Sequence, residues 1–123
     1  MRKVIVVVDM QNDFVDGSLG TAEAQAMLPR LVKKLSEERA SDAADFVFTM
    51  DTHPAEYLQT AEGKKLPVEH CIKGSPGWKI VPQLQPFAAA ARAVVEKPTF
   101  GSAELPKLVA DYDEIELIGL CTD

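Results

Sequence analysis

Two cysteines, two histidines, one tryptophan and a shortage of basic residues narrow what a chain of 123 residues can be. With Cys71 and Cys121 as the only thiols there is no disulfide framework of the kind that staples small secreted domains, and both are expected to stay reduced. Long apolar runs are absent too. The longest aliphatic run, Val4 to Val8, falls far short of the roughly 20 residues a membrane-spanning helix needs. Met1-Arg2-Lys3 ahead of that run imitates a secretory signal, but Asp9 ends the apolar stretch and no small-residue cleavage site follows, so a cytoplasmic protein is expected. Lysine and arginine total 13 against 19 acidic residues, for a net charge of −6. The basic clusters, Lys33-Lys34 and Lys64-Lys65, are too dilute to neutralise a phosphate backbone or an anionic bilayer, so neither nucleic acid nor membrane is expected as a partner. No Gly-x-x-x-x-Gly-Lys-Ser/Thr and no Gly-x-Gly-x-x-Gly occurs, which removes support for two common nucleotide cradles.

What is present is an ordinary globular composition, 46% hydrophobic and 26% charged, enough for one core in a single domain spanning residues 1–123. Residues 3–8 are apolar without alternation, the pattern of a strand buried on both faces of a parallel sheet. A loop holding Gly17 and Gly20 follows. Leu28, Leu31, Val32 and Leu35 then recur at helical spacing, with Lys33, Lys34, Glu37 and Glu38 opposite, and the helix is expected to end near Ala40. Residues 45–50 read as a second strand and residues 54–78 as a long loop, with a helical turn near Trp78 to Leu84. Residues 93–96 read as a third strand ending at Lys97. Ser102 suits the N-cap of a helix carrying Leu105, Leu108 and Val109, and residues 114–120 read as a fourth strand. Strands alternating with helices predict an α/β fold, an open parallel sheet with helices on both faces.

Asp9, Asp51 with His53, and Lys97 each fall at or just past the carboxyl end of a predicted strand, the edge where open parallel sheets bind ligands. In Asp51-Thr52-His53 a carboxylate and an imidazole sit at i and i+2, on one face of an extended chain and suited to one metal. The second histidine, His70, lies in the same loop region, near Glu56 and Glu62. Carboxylate, imidazoles and water suit Zn, Fe or Mn better than Mg or Ca. The plainer alternative is two surface histidines in a polar loop. Cys71 reads as a small buried hydrophobe, because its side chain should point away from that of His70 in an extended segment. Lys97 at the mouth of a crevice can raise the thiolate fraction of a nearby cysteine, or merely snorkel at a strand end.

Val-Val-Val-Asp9-Met-Gln-Asn-Asp-Phe14, Asp51-Thr-His53, Leu66-Pro-Val-Glu-His70-Cys71, Glu96-Lys97-Pro-Thr-Phe100-Gly-Ser102 and Ile118-Gly-Leu-Cys121-Thr-Asp123, in that order, resemble the isochorismatase-like cysteine hydrolases, and among them the nicotinamidase branch. The resemblance runs the length of the chain. It implies a Rossmann-like three-layer sandwich and a cytoplasmic amidohydrolase of NAD salvage. In such an enzyme a thiolate attacks the carbonyl of a small amide, ammonia leaves and water hydrolyses the thioester. Asp9 is then the proton shuttle and Lys97 the group that stabilises the thiolate. Asp51, His53 and His70 are implied as metal ligands with Glu62 as the fourth and Glu56 as its rival, Zn as the cation, and Fe or Mn as alternatives. Phe14 and Phe100 match an aromatic wall against the substrate ring.

One departure stands out. The family pattern after the fourth strand resembles Gly-x-x-Thr-Asp-x-Cys; Gly119, Thr122 and Asp123 match it, Cys121 falls on the oxyanion-hole position, and the nucleophile falls two positions past Asp123. The chain is therefore expected to be incomplete at its carboxyl end and inactive by itself. The fourth strand and the flank of the first are expected to expose apolar surface, favouring a homo-oligomer. The alternatives are a non-catalytic metal-binding fragment or interaction subunit of the same fold, Cys121 as the attacking thiol, and hydrolysis by metal-bound water without any thiol.

Overall fold

The computed structural model describes residues 3–17, 19–41, 44–53, 55–65, 70–97 and 104–119. Its frame is four strands: β1 (Lys3–Val8), β2 (Asp45–Asp51), β3 (Ala93–Lys97) and β4 (Glu114–Gly119), all parallel and ordered β3-β2-β1-β4. The order runs outward from β1 through β2 to β3 and then returns to the other side of β1. The reversal between β1 and β4 is the topological switch point of an open α/β sheet.

The unbroken apolar run of β1 is explained by burial on both faces. Val4, Ile5, Val6 and Val7 are all at most 1% exposed. Ile5 and Val7 join one core cluster, and Val4 and Val6 the other, as the two-residue repeat of a strand requires. The first face is covered by α2 (Ala22–Ser41) through Leu28, Leu31 and Leu35, and by α4 (Gln85–Ala89) through Phe87. The second is covered by Leu108 and Val109 of α5 (Glu104–Val109) and by Tyr112. The predicted sandwich is present, although the flank of β1 is not exposed as expected: β4 pairs along its whole length. In β4 itself Ile115 and Leu117, the register partners of Val4 and Val6, are exposed, as is Val94 of β3 at the opposite edge of the sheet.

Local chemistry explains where the elements begin. Thr21 caps α2 by accepting a hydrogen bond at Oγ1 from the Ala24 amide, 3.0 Å away. The loop expected after β1 contains instead a four-residue helix, α1 (Asn12–Val15), too short to carry a periodic signal. The long loop after β2 is also partly helical, with a 3₁₀ turn at Tyr57–Gln59, α3 (Ala61–Lys65) and a 3₁₀ turn at Pro76–Trp78. The helical turn expected from Trp78 starts later. Ile80 bridges to Gln11 in extended conformation, and Pro82 and Pro86, each in the first turn of its segment, fix the φ angles that start the turn at Pro82–Leu84 and α4 behind it. Leu120 and Ser102 lie outside the described residues.

Candidate functional site

Parallel pairing in this order lines up the strand ends that carry the polar residues. Asp9 follows β1 at the switch point, Asp51 closes β2 and Lys97 closes β3 as the register partner of Asp51. Asp9 has φ of +53°, a left-handed turn that aspartate tolerates better than most residues, and it is fully buried. Its amide donates to the backbone oxygen and to Oγ1 of Thr49, both at 3.2 Å, and its Oδ1 accepts from the Thr49 hydroxyl at 2.7 Å. These bonds fix the carboxylate relative to β2 while leaving its second oxygen outside that pair. For Lys97 the backbone is described and the side chain is not. Phe100, Cys121, Thr122 and Asp123 lie outside the described residues.

Asp51, His53 and His70 come together as the sequence spacing suggested. Their ligand atoms lie within 4.8 Å of one another, and the three residues are at most 3% exposed. Asp51 Oδ2 is 3.0 Å from Nε2 of His53 and 3.5 Å from Nε2 of His70, so both imidazoles aim the same nitrogen at one carboxylate. His70 arrives from the loop because residues 70–73 run beside residue 53: the His53 amide donates to the Cys71 carbonyl and the Lys73 amide to the His53 carbonyl, each at 2.9 Å. One carboxylate and two imidazoles, buried and convergent, form a mixed oxygen and nitrogen donor set that fits a divalent ion such as zinc, and it leaves a position for a further ligand. Of the two proposed fourth ligands, Glu56 is exposed and outside this cluster, and Glu62 lies in α3 with its side chain outside the description.

Aromatic rings form the wall of the centre. Phe14 meets His70 edge-on with ring centroids 5.5 Å apart. Tyr57 is fully buried against both imidazoles, 4.6 Å from His53 and 5.0 Å from His70. Sequence reasoning missed Tyr57, because no helix joins it to His53 and their approach depends on the turn that precedes the 3₁₀ segment. It also missed Gln11, which is fully buried and treats the end of β2 as a strand would: Oε1 accepts from the Asp51 amide at 2.8 Å, and Nε2 donates to the carbonyls of Asp51 at 2.9 Å and Trp78 at 2.7 Å. Trp78 in turn donates its indole N–H to Thr52 Oγ1 at 3.0 Å. Cys71 is buried as expected, but for another reason: the segment is not extended there, since Cys71 has φ of +51°.

Comparison with known proteins shows the family and the fold. Residues 3–123 match the isochorismatase domain family. A nicotinamidase/pyrazinamidase of Mycobacterium tuberculosis is 27% identical over 138 residues, covering 98% of this chain and 73% of that protein. Among solved structures, an N-carbamoylsarcosine amidase from Thermoplasma acidophilum superposes with a TM-score of 0.79 at 29% identity, over 97% of this chain and 68% of that one. A pyrazinamidase of Pyrococcus horikoshii in complex with zinc shares the fold, with a TM-score of 0.77 at 24% identity over 99% and 72% of the two chains. With its sheet order, its Asp9 at the switch point and its match across residues 3–123, this chain belongs to the isochorismatase domain family of hydrolases.

Proposed function

We propose that this chain provides the metal and acid half of a cysteine amidohydrolase that converts nicotinamide or a similar small amide to the acid and ammonia, in the cytoplasm and in the salvage of NAD. The observation that carries this reading is the convergence of Asp51, His53 and His70 at the sheet edge where Asp9 and the backbone of Lys97 also end. The relative named as a nicotinamidase/pyrazinamidase supports the substrate class.

In the proposed reaction Lys97 holds a thiolate supplied by a cysteine two positions past Asp123. Asp9 takes the thiol proton as the sulfur attacks the amide carbon, and it passes that proton to the nitrogen as the C–N bond breaks, so that ammonia leaves. Asp9 then takes a proton from water as the water attacks the thioester, which releases the acid and returns the thiol. The Cys121 amide contributes to the oxyanion hole, and Phe14 and Phe100 supply an aromatic wall against the ring. Asp51, His53 and His70, with Glu62 as fourth ligand, hold zinc, or alternatively Fe or Mn. The cation's contribution is to orient the substrate's ring so that its carboxamide faces the thiol. Fixing Asp9 to Thr49 and Asp51 to Gln11 keeps the acid and the ligand carboxylate in register across the paired strands β1 and β2.

Ammonia release from nicotinamide, measured for the 123-residue chain and for a version extended through the next cysteine, tests this. Activity confined to the extended protein is the expected result; none in either would overturn it. The exposed Ile115 and Leu117 favour a second reading, a non-catalytic metal-binding module or subunit of the same fold that docks or self-associates through β4. Zinc binding with no turnover by the extended protein is the outcome that reading requires.

A further inference from the structure

We infer that Asp13 is a positioning residue for the metal centre: its carboxylate, gripping the Cys71 amide, holds the left-handed bend that aims His70 at Asp51. The inference rests on the metal-centre reading above and deepens it. His70 sits immediately before a residue whose φ of +51° is disfavoured for any side chain bearing a Cβ. Something must hold that bend, and two of the hydrogen bonds that Cys71 makes do so. The Cys71 carbonyl accepts from the His53 amide at 2.9 Å, and the Cys71 amide donates to Asp13 Oδ2 at 2.7 Å, a short, charge-assisted bond linking segments 58 residues apart. The first bond comes from the other histidine ligand, whereas the second comes from α1, outside the metal loop.

The space around this carboxylate is reserved by glycine. A Cβ on Gly77 would lie 2.1 Å from Asp13 Oδ1 and 2.3 Å from both Cγ and Oδ2. Gly77 is not among the residues with positive φ, so close approach of the carboxylate, and not backbone conformation, is what requires glycine here. The same short helix places Phe14 against the His70 ring. Helix α1 therefore touches the His70–Cys71 pair at two points, and Asp9 lies three residues before it begins at Asn12. Asp13 thus ties the segment that follows Asp9 to the one that carries His70.

The test uses the full chain and zinc alone. Affinity is measured by competition with a chromophoric chelator, and ligand geometry from the visible spectrum of the Co(II) form. Asp13→Ala and Gly77→Ala are each expected to weaken zinc at least about 10-fold and to shift the cobalt bands, as loss of outer supporting contacts does at other metal sites. Asp13→Asn, which keeps the acceptor and loses the charge, should weaken it less. In a Cys71→Gly background, where the bend carries no steric cost, Asp13→Ala should lose only a small fraction as much. Gly77→Ala displaces the flexible end of one side chain, so it decides the matter if Asp13→Ala fails to fold. Parental affinity and an unshifted cobalt spectrum in Gly77→Ala, or an undiminished loss in the Cys71→Gly background, would overturn the inference while the metal reading stands. A parent chain that binds no zinc would overturn both.

Discussion

The carboxyl and amino ends of the sheet hold similar numbers of polar groups and treat them in opposite ways. At the carboxyl end Asp9, Gln11, Thr49, Asp51, His53 and His70 are all at most 3% exposed, each tied to a neighbour by a side-chain bond or short contact. Towards the amino end, Lys3 reaches Glu38, Glu114 and Glu116 at 3.1–3.7 Å, and Lys34 reaches Glu116 at 2.8 Å, all in contact with water. Arg92 and Asp45 share the Tyr112 hydroxyl nearby. Burial makes the difference. Unpaired polar groups at the carboxyl end would carry a full desolvation cost, whereas surface pairs contribute little and are screened by salt. A fold that concentrates buried polar groups at one sheet edge is maintaining a site there.

The comparison is broken most severely by removing what fills the buried end. Tyr57→Ala deletes a fully buried ring packed against two imidazoles, and by the usual cost of large-to-small aromatic changes it should lower stability by about 3–5 kcal/mol in denaturant unfolding. A loss below about 1 kcal/mol would mean the ring is not a packing element. Gln11→Ala strands the Asp51 amide and two carbonyls in the interior, with an expected cost of about 1–3 kcal/mol by the same measurement and a weaker zinc site. His70→Ala should reduce zinc affinity at least about 10-fold, and unchanged metal content after dialysis would remove His70 from the ligand set.

The smallest effect belongs to the exposed end. The Lys34 hydrogen bond, and then the Lys3 bond working against partial desolvation, hold the Glu116 carboxyl below its ordinary value of 4.5. A carboxyl lowered on folding contributes stability at pH above 4.5 and loses it as pH falls through the lowered value. Lys34→Ala should therefore cost less than about 1 kcal/mol at pH 7, less still in high salt, and nothing once Glu116 is protonated. A cost that persists at low pH would mean Lys34 acts through packing of its stem.

How much of this was legible depended on how local each signal is. The two-faced burial of β1 was readable because only a central parallel strand needs an apolar residue at every position. Asp51 and His53 were readable because strand geometry alone puts i and i+2 on one face. His70 was found as a donor, yet the backbone that delivers it was misjudged: an extended segment was expected where Cys71 turns left-handed. The helix α1 escaped because four residues make no periodic pattern, and its position is fixed by the Asp13 and Gln11 side-chain bonds to residues 40 or more positions away.

Sequence by itself determined the strand and helix alternation, the acidic character, and the residue types able to bind a metal and handle a proton, because each follows from composition and short-range spacing. Only the tertiary structure decided that Asp9 and Asp51 share one sheet edge with the backbone of Lys97, and that Tyr57, Gln11 and Asp13 support the centre. Strand order and long-range hydrogen bonds are set by which surfaces bury together, and no local pattern encodes that choice.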